Sequence, residues 1–166
     1  MKNKYFISGL VIVLVLITSF VQYNKTDNRK RVAFPEGYRS WTHVKSVVVT
    51  KSHSLYDRFG GIHHIYANDK ALTSLKDDAT FEKGSVLIFD LKKEIVRDSL
   101  IYEGSRRSVA VMLKDVDRFA ETGGWGFEEF IKDDQRIRIV TDANKQCFSC
   151  HKSQKVSDYV YSKYRD

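Results

Sequence analysis

The chain has 166 residues, 42% hydrophobic and 13% aromatic, enough for one domain with a real core and too apolar for a disordered chain. One proline, nine glycines and no internal repeat exclude a low-complexity linker or a solenoid. The net charge of +7 is the balance of 28 basic and 21 acidic residues. Apart from Arg29-Lys30-Arg31 these are scattered, so nucleic-acid binding is not expected and an acidic partner protein suits the surface better.

In chain order, Lys2 and Lys4 precede residues 5–24, a run without any charge. At ~1.5 Å per residue it spans roughly 30 Å, the hydrocarbon thickness of a bilayer. It closes on Thr18-Ser19-Phe20-Val21 without the small residues of a cleavage site. An uncleaved membrane anchor is therefore favoured over a cleaved signal segment. In either case the remainder is exported, to the periplasmic side of a bacterial membrane. Residues 1–24 form this segment, 25–33 a polar tether, and 34–166 the folded domain, which opens on the turn Phe34-Pro35-Glu36-Gly37.

Valine-rich or β-branched runs predict strands over 44–50, 61–66, 85–91 and 108–113, and an aromatic amphipathic run predicts another over 124–131. Helices are expected over 69–76 and 116–120, as a turn around 147–151, and over 157–164 with Ser157 as its cap. Strands outnumber helices and follow one another as a meander. The fold class is α+β: a mostly antiparallel sheet with a few short helices on one side, preceded by the N-terminal segment.

The residues that carry chemistry are Cys147-Phe148-Ser149-Cys150-His151, a C-x-x-C-H haem-attachment pattern. Two cysteines three apart on a helical turn present both sulfurs to one side, where they can add to the two haem vinyl groups. The next residue, His151, is then the axial ligand and the metal-binding residue, one of the levers that sets a haem's redox behaviour. A thioredoxin-like dithiol would need a surrounding βαβ unit, and zinc would need a second pair of ligands. A structural disulfide would leave His151 without a role. The cofactor expected is one covalently attached haem c.

His63 and His64 are strand neighbours that must face opposite sides of the sheet, one at the surface and one in the core. Met112 is a conceivable sixth ligand, but its place within an apolar run reads as core.

The chain resembles the cytochrome P-460 family, which includes the c-prime-beta cytochromes. The likeness runs from Phe34 to Arg165 and rests on several stretches. They are Phe34-Pro35-Glu36-Gly37-Tyr38-Arg39-x-Trp41, Ile65-Tyr66-Ala67-Asn68, Gly84-Ser85-Val86-Leu87-Ile88 and Val111-Met112-Leu113-Lys114-Asp115. Arg118-Phe119-Ala120, Gly123-Gly124-Trp125-Gly126-Phe127, the haem motif and Asp158-Tyr159-Val160-Tyr161 complete it. The resemblance implies an antiparallel sheet domain, often a homodimer, with a five-coordinate haem c open to small ligands. P-460 cytochromes proper oxidise hydroxylamine and nitric oxide, using a lysine–porphyrin cross-link and a distal carboxylate. The c-prime-beta members lack the cross-link, carry an aromatic cap and bind nitric oxide or carbon monoxide. In the family's motif the lysine position falls on Phe89 and the carboxylate position on Ala110. Both residues are thus placed at the cofactor, and neither can perform the oxidase chemistry. The expectation is a gas-binding or electron-transferring cytochrome, with oxidation of hydroxylamine or nitric oxide as the alternative.

Overall fold

Five segments rich in branched and aromatic side chains pair into a single antiparallel meander. They are β1 (Thr42–Val49), β2 (Gly61–Ala67), β3 (Val86–Arg97), β4 (Leu100–Lys114) and β5 (Trp125–Ile131), in the spatial order of the sequence. The structure, a computed structural model, describes residues 31–165. The expected anchor at residues 5–24 lies outside them, and among the described residues no helix is long and apolar enough to cross a membrane.

The two-residue period of a strand sorts the side chains onto two faces. The register sets Ile65, Phe89, Ala110 and Glu129 abreast on one face, and His64, Asp90, Val109 and Phe130 abreast on the other. The first face buries a cluster built on Val44, Ile65, Leu87, Trp125 and Phe127. It is covered by the helix α2 (Asp69–Lys76), through Ala71 and Leu75, and by the C-terminal segment, through Val160. The second face buries Ile88, Val109, Val111, Phe119 and Phe130 under the N-terminal stretch, with Tyr38 and Val32 inside the cluster. Val32 is only 2% exposed, so packed structure begins two residues before Phe34. Burying a side chain of this size is worth roughly 1.5–3 kcal/mol. Helix α2 starts where Asn68 accepts from the Ala71 amide at 3.0 Å, while the same oxygen accepts from Val86 at 3.0 Å, tying the helix to β3. A one-turn helix, α1 (Tyr56–Phe59), precedes β2.

Three expectations need correction. Strands β3 and β4 run on to Arg97 and Leu100 as a long hairpin whose tip leaves Val96 and Ile101 half exposed or more. The charges from Lys92 to Asp98 hide this extension from a reading based on apolar runs. Residues 116–120 form turns rather than a helix, because Asp115 accepts from the amides of Asp117 and Arg118 and the only helical turn is 3-10, at Ala120–Thr122. Residues 158–164 are not helical either, and Ser157 ends a 3-10 stretch instead of capping a helix. Asp158 and Tyr159 lie at φ 49° and 67°, a left-handed pair that ends the helical segment and turns the chain back.

Candidate haem site

The C-x-x-C-H motif lies on a helical segment that runs without a break as far as a kink at Gln154. A π turn (Asn144–Phe148) leads into an α turn (Ser149–His151) and a 3-10 stretch (Lys152–Ser157), with right-handed backbone at each junction. Its start is held by Gln146, whose side-chain oxygen accepts from the amides of Thr141 and Asp142, both at 2.7 Å. The two cysteines therefore project from adjacent positions of one helical surface. Cys147 is half-buried against the first cluster and Cys150 is exposed. Burial pushes the Cys147 thiol up to about 11, and the nearby carboxylate of Glu129 adds to the shift. A thiol so protonated lacks the thiolate that dithiol exchange requires. Both cysteines are free, and among the described residues no group of three or more His, Cys, Asp or Glu is arranged to hold a metal ion.

His151 is fixed from three sides. Its Nδ1 lies 2.8 Å from the Tyr159 carbonyl, to which it donates. Its ring lies 5.1 Å from that of Phe127 and 5.2 Å from that of Tyr161. With Nδ1 committed, Nε2 is the nitrogen left for iron, and a carbonyl partner raises ligand basicity. Burial lowers the pKa of His151, favouring the neutral imidazole that ligation needs.

The carbonyl that holds His151 is itself held. Asp158, next to Tyr159, accepts from Lys114 Nζ at 2.6 Å and from the Phe81 amide at 3.0 Å, while its carbonyl accepts from the Trp125 indole at 2.8 Å. Lys114 also donates to the Gly123 carbonyl at 3.1 Å. Gly123 has φ 65°, and a Cβ there would come within 2.4 Å of the Tyr159 ring, so only glycine leaves that ring its place. Strands β4 and β5 thereby determine the position of a backbone oxygen 8 residues after the ligand.

Phe89 and Ala110 are cross-strand partners on the face that receives the motif segment, and Phe89 packs on the cluster that also holds Cys147. Behind Phe89 stands His63, fully buried, its ring 4.3 Å from the Phe89 ring. His63 Nε2 donates to the Phe59 carbonyl at the end of α1, and its Nδ1 has no partner among the described residues. Arg107 clamps the same segment, donating to the carbonyls of Gly60 at 2.5 Å and Asp57 at 3.2 Å, and Arg58 donates to the Gln146 carbonyl at 3.2 Å. His64 points the other way, with Nδ1 2.7 Å from Ser46 Oγ. Met112 packs on the first cluster between Leu87 and Phe127.

One residue escapes the sequence reading. Glu129, on β5, is the register partner of Ala110 and shares its face, so a carboxylate does stand beside the alanine, contributed by the next strand. Alternation from Phe127 would have placed it on this face, but the pairing with Ala110 needs the register.

With this arrangement in view, a comparison with protein families matches residues 35–162 to Cytochrome P460. The chain belongs to the cytochrome P460 family. It is accordingly a haem-binding cytochrome, and the match covers every element from the turn at Pro35 to the strands, the motif segment and the Asp158 turn. A comparison with curated proteins finds no match.

Proposed function

We propose that this cytochrome is an exported protein with one haem c, anchored at the periplasmic side of a bacterial membrane through residues 5–24. It binds small diatomic ligands in the manner of the c-prime-beta members and exchanges electrons with an acidic partner. The observation that carries the reading is the His151 clamp, a neutral imidazole with Nδ1 tied to a braced carbonyl and Nε2 left for iron, beside two free cysteines. Bound there, a haem supplies an iron that coordinates small ligands and accepts or gives one electron.

The other groups act through this chain's own chemistry. Cys147 and Cys150 hold the cofactor through thioether bonds. Phe89 presents an apolar ring, which excludes water and disfavours charged or strongly hydrated ligands, while diatomic gases lose little on entering. Ala110 can take no proton. His63 keeps Phe89 and the Phe59–Gly60 backbone in place. Absorption spectra of the purified ferric and ferrous protein, with and without nitric oxide or carbon monoxide, test the reading. A high-spin ferrous spectrum that changes on adding either gas is expected. A low-spin ferrous spectrum that Met112→Ala converts to high-spin would make the protein a plain electron carrier.

Glu129 favours a second reading, oxidation of hydroxylamine or nitric oxide. Removing protons from hydroxylamine needs a base within hydrogen-bond reach, and the Glu129 carboxylate is the one that shares the Ala110 position. Steady-state assays with hydroxylamine and an electron acceptor decide between the two. Turnover above that of free haem, lost in Glu129→Gln, would establish the oxidase. Its absence leaves the gas binder.

A further inference from the structure

Away from the motif segment, the base of the β3–β4 hairpin opens into a cleft of about 610 Å³. Arg39, Lys92, Lys93, Arg106, Arg107 and Lys132 line it, against a single lining carboxylate, Asp133. The hairpin makes the cleft by breaking register at Leu91/Lys92 and again at Lys92/Glu94, which spreads the strands around Gly104 and Ser105.

Two of the cations are built into the floor. Lys92 and Arg106 are cross-strand partners, and each side chain is only 10% exposed. Like charges directly opposite one another on neighbouring strands are destabilising. Asp90 beneath takes the Arg106 guanidinium at 2.7 and 3.2 Å, and Glu103 stands 3.8 Å from Lys92. Asp133 also accepts from Arg106, and Arg39 lies 3.6 Å from Asp90, so the uncompensated charge of the lining rests on Arg107, Lys93 and Lys132. Arg107 is also fixed, its donors committed to backbone carbonyls, so it brings charge without freedom. The rim differs. Lys93 and Lys132 are exposed and form no ion pair among the described residues. Lys132 sits at φ 54°, a left-handed conformation uncommon for a residue with a side chain, held by its amide bond to the Arg107 carbonyl at 2.9 Å. A rigid cationic floor under two free ammonium groups is the pattern of an anion receptor.

We propose that this cleft binds a small soluble ligand carrying two linked phosphate-type groups. Its volume falls in the range of small-molecule pockets and exceeds what one phosphate ion fills. The floor arginines and Lys92 set the field, and Lys93 and Lys132 close on the second anionic group. The proposal does not rest on the haem reading, although Arg107 also holds the Asp57–Gly60 backbone on the haem side of the sheet.

Calorimetric titration of the haem-loaded full chain with inorganic pyrophosphate at low ionic strength tests this. Saturable binding is expected, weakened at least tenfold in Lys93→Ala with Lys132→Ala and weakened again as salt is raised. Orthophosphate should bind at least tenfold more weakly than pyrophosphate. The control removes the same charge elsewhere: Lys51→Ala with Lys155→Ala, both exposed and outside the cleft, should leave the affinity within twofold. Absence of pyrophosphate binding would overturn the proposal, as would an equal loss in the two double variants. Binding seen only with vesicles of anionic lipid, or only with an acidic protein, would also overturn it and assign the patch to a surface partner.

Discussion

Each face of the sheet holds a buried ion pair between strand and partner element, and two of these, Lys114–Asp158 and Asp90–Arg106, differ in what they join. On the face of the motif segment, Lys114 and Asp158 have side chains 5% and 13% exposed and connect β4 to a turn 44 residues away. On the other face, Asp90 and Arg106 are 0% and 10% exposed and connect two strands of one hairpin, with the Tyr38 hydroxyl donating to Asp90 at 2.8 Å. The first pair fixes a backbone oxygen that orients His151. The second braces a hairpin and carries the floor of the basic cleft. Similar burial therefore serves ligand geometry in one case and local architecture in the other, and the difference lies in the element attached to the far end of each pair.

The largest effect expected bears on which face holds the cofactor. Cys147→Ala combined with Cys150→Ala should lose all haem on denaturing extraction, whereas the wild-type chain keeps one haem by mass spectrometry. A variant retaining covalent haem would dissolve the comparison.

Next come the pairs themselves. Lys114→Met and Arg106→Met each leave a buried carboxylate with a lost partner, at a cost of about 3–5 kcal/mol in urea unfolding. Only Lys114→Met should also shift the haem absorption spectrum, because only that pair stands behind the Tyr159 carbonyl. Equal spectral shifts in both variants would erase the distinction.

Phe89→Ala should then open the first face without touching either pair. We expect carbon monoxide association to quicken about tenfold, equivalent to ~1.4 kcal/mol of barrier, in flash photolysis. Unchanged association would remove Phe89 from the ligand's path.

The smallest effect is in acid. Burial pushes the Asp90 carboxyl up, but the Arg106 and Tyr38 hydrogen bonds outweigh it and hold the group below its ordinary 3.8. A lowered folded-state pKa adds stability that is complete above the ordinary value and is lost as pH falls through the folded one. The wild-type urea midpoint should therefore drop below pH 4, as the Asp90 contribution is lost. In Asp90→Asn that portion of the acid loss should be absent. Parallel acid limbs would show that other carboxylates dominate.

Much of this was legible in residue order. Branched and aromatic runs located all five strands, and the helix expected over 69–76 is α2 at the bounds it adopts. The C-x-x-C-H pattern is equally plain as a pattern, three residue types at fixed spacing. What stayed hidden depends on pairing or on backbone. Tyr159 contributes a carbonyl, which every residue has, and Glu129 matters through its register with Ala110. The left-handed turn at Asp158 and Tyr159 escaped because neither is glycine, so the sequence there still looked helical. Lys92 and Arg106 read as scattered surface charge until the hairpin set them side by side.

The Asp158 turn also has a kinetic side. Its three restraints reach back 33, 44 and 77 residues, to Trp125, Lys114 and Phe81. Contacts that distant form only after the entropy of closing long loops has been overcome. His151 acquires its final orientation only once these elements of the sheet are in place. During folding, a chain would pass through a state with the meander formed and His151 still turning freely. A chain stopped after Ser157 would remain there, with its strands paired and its imidazole lacking the carbonyl that aims it.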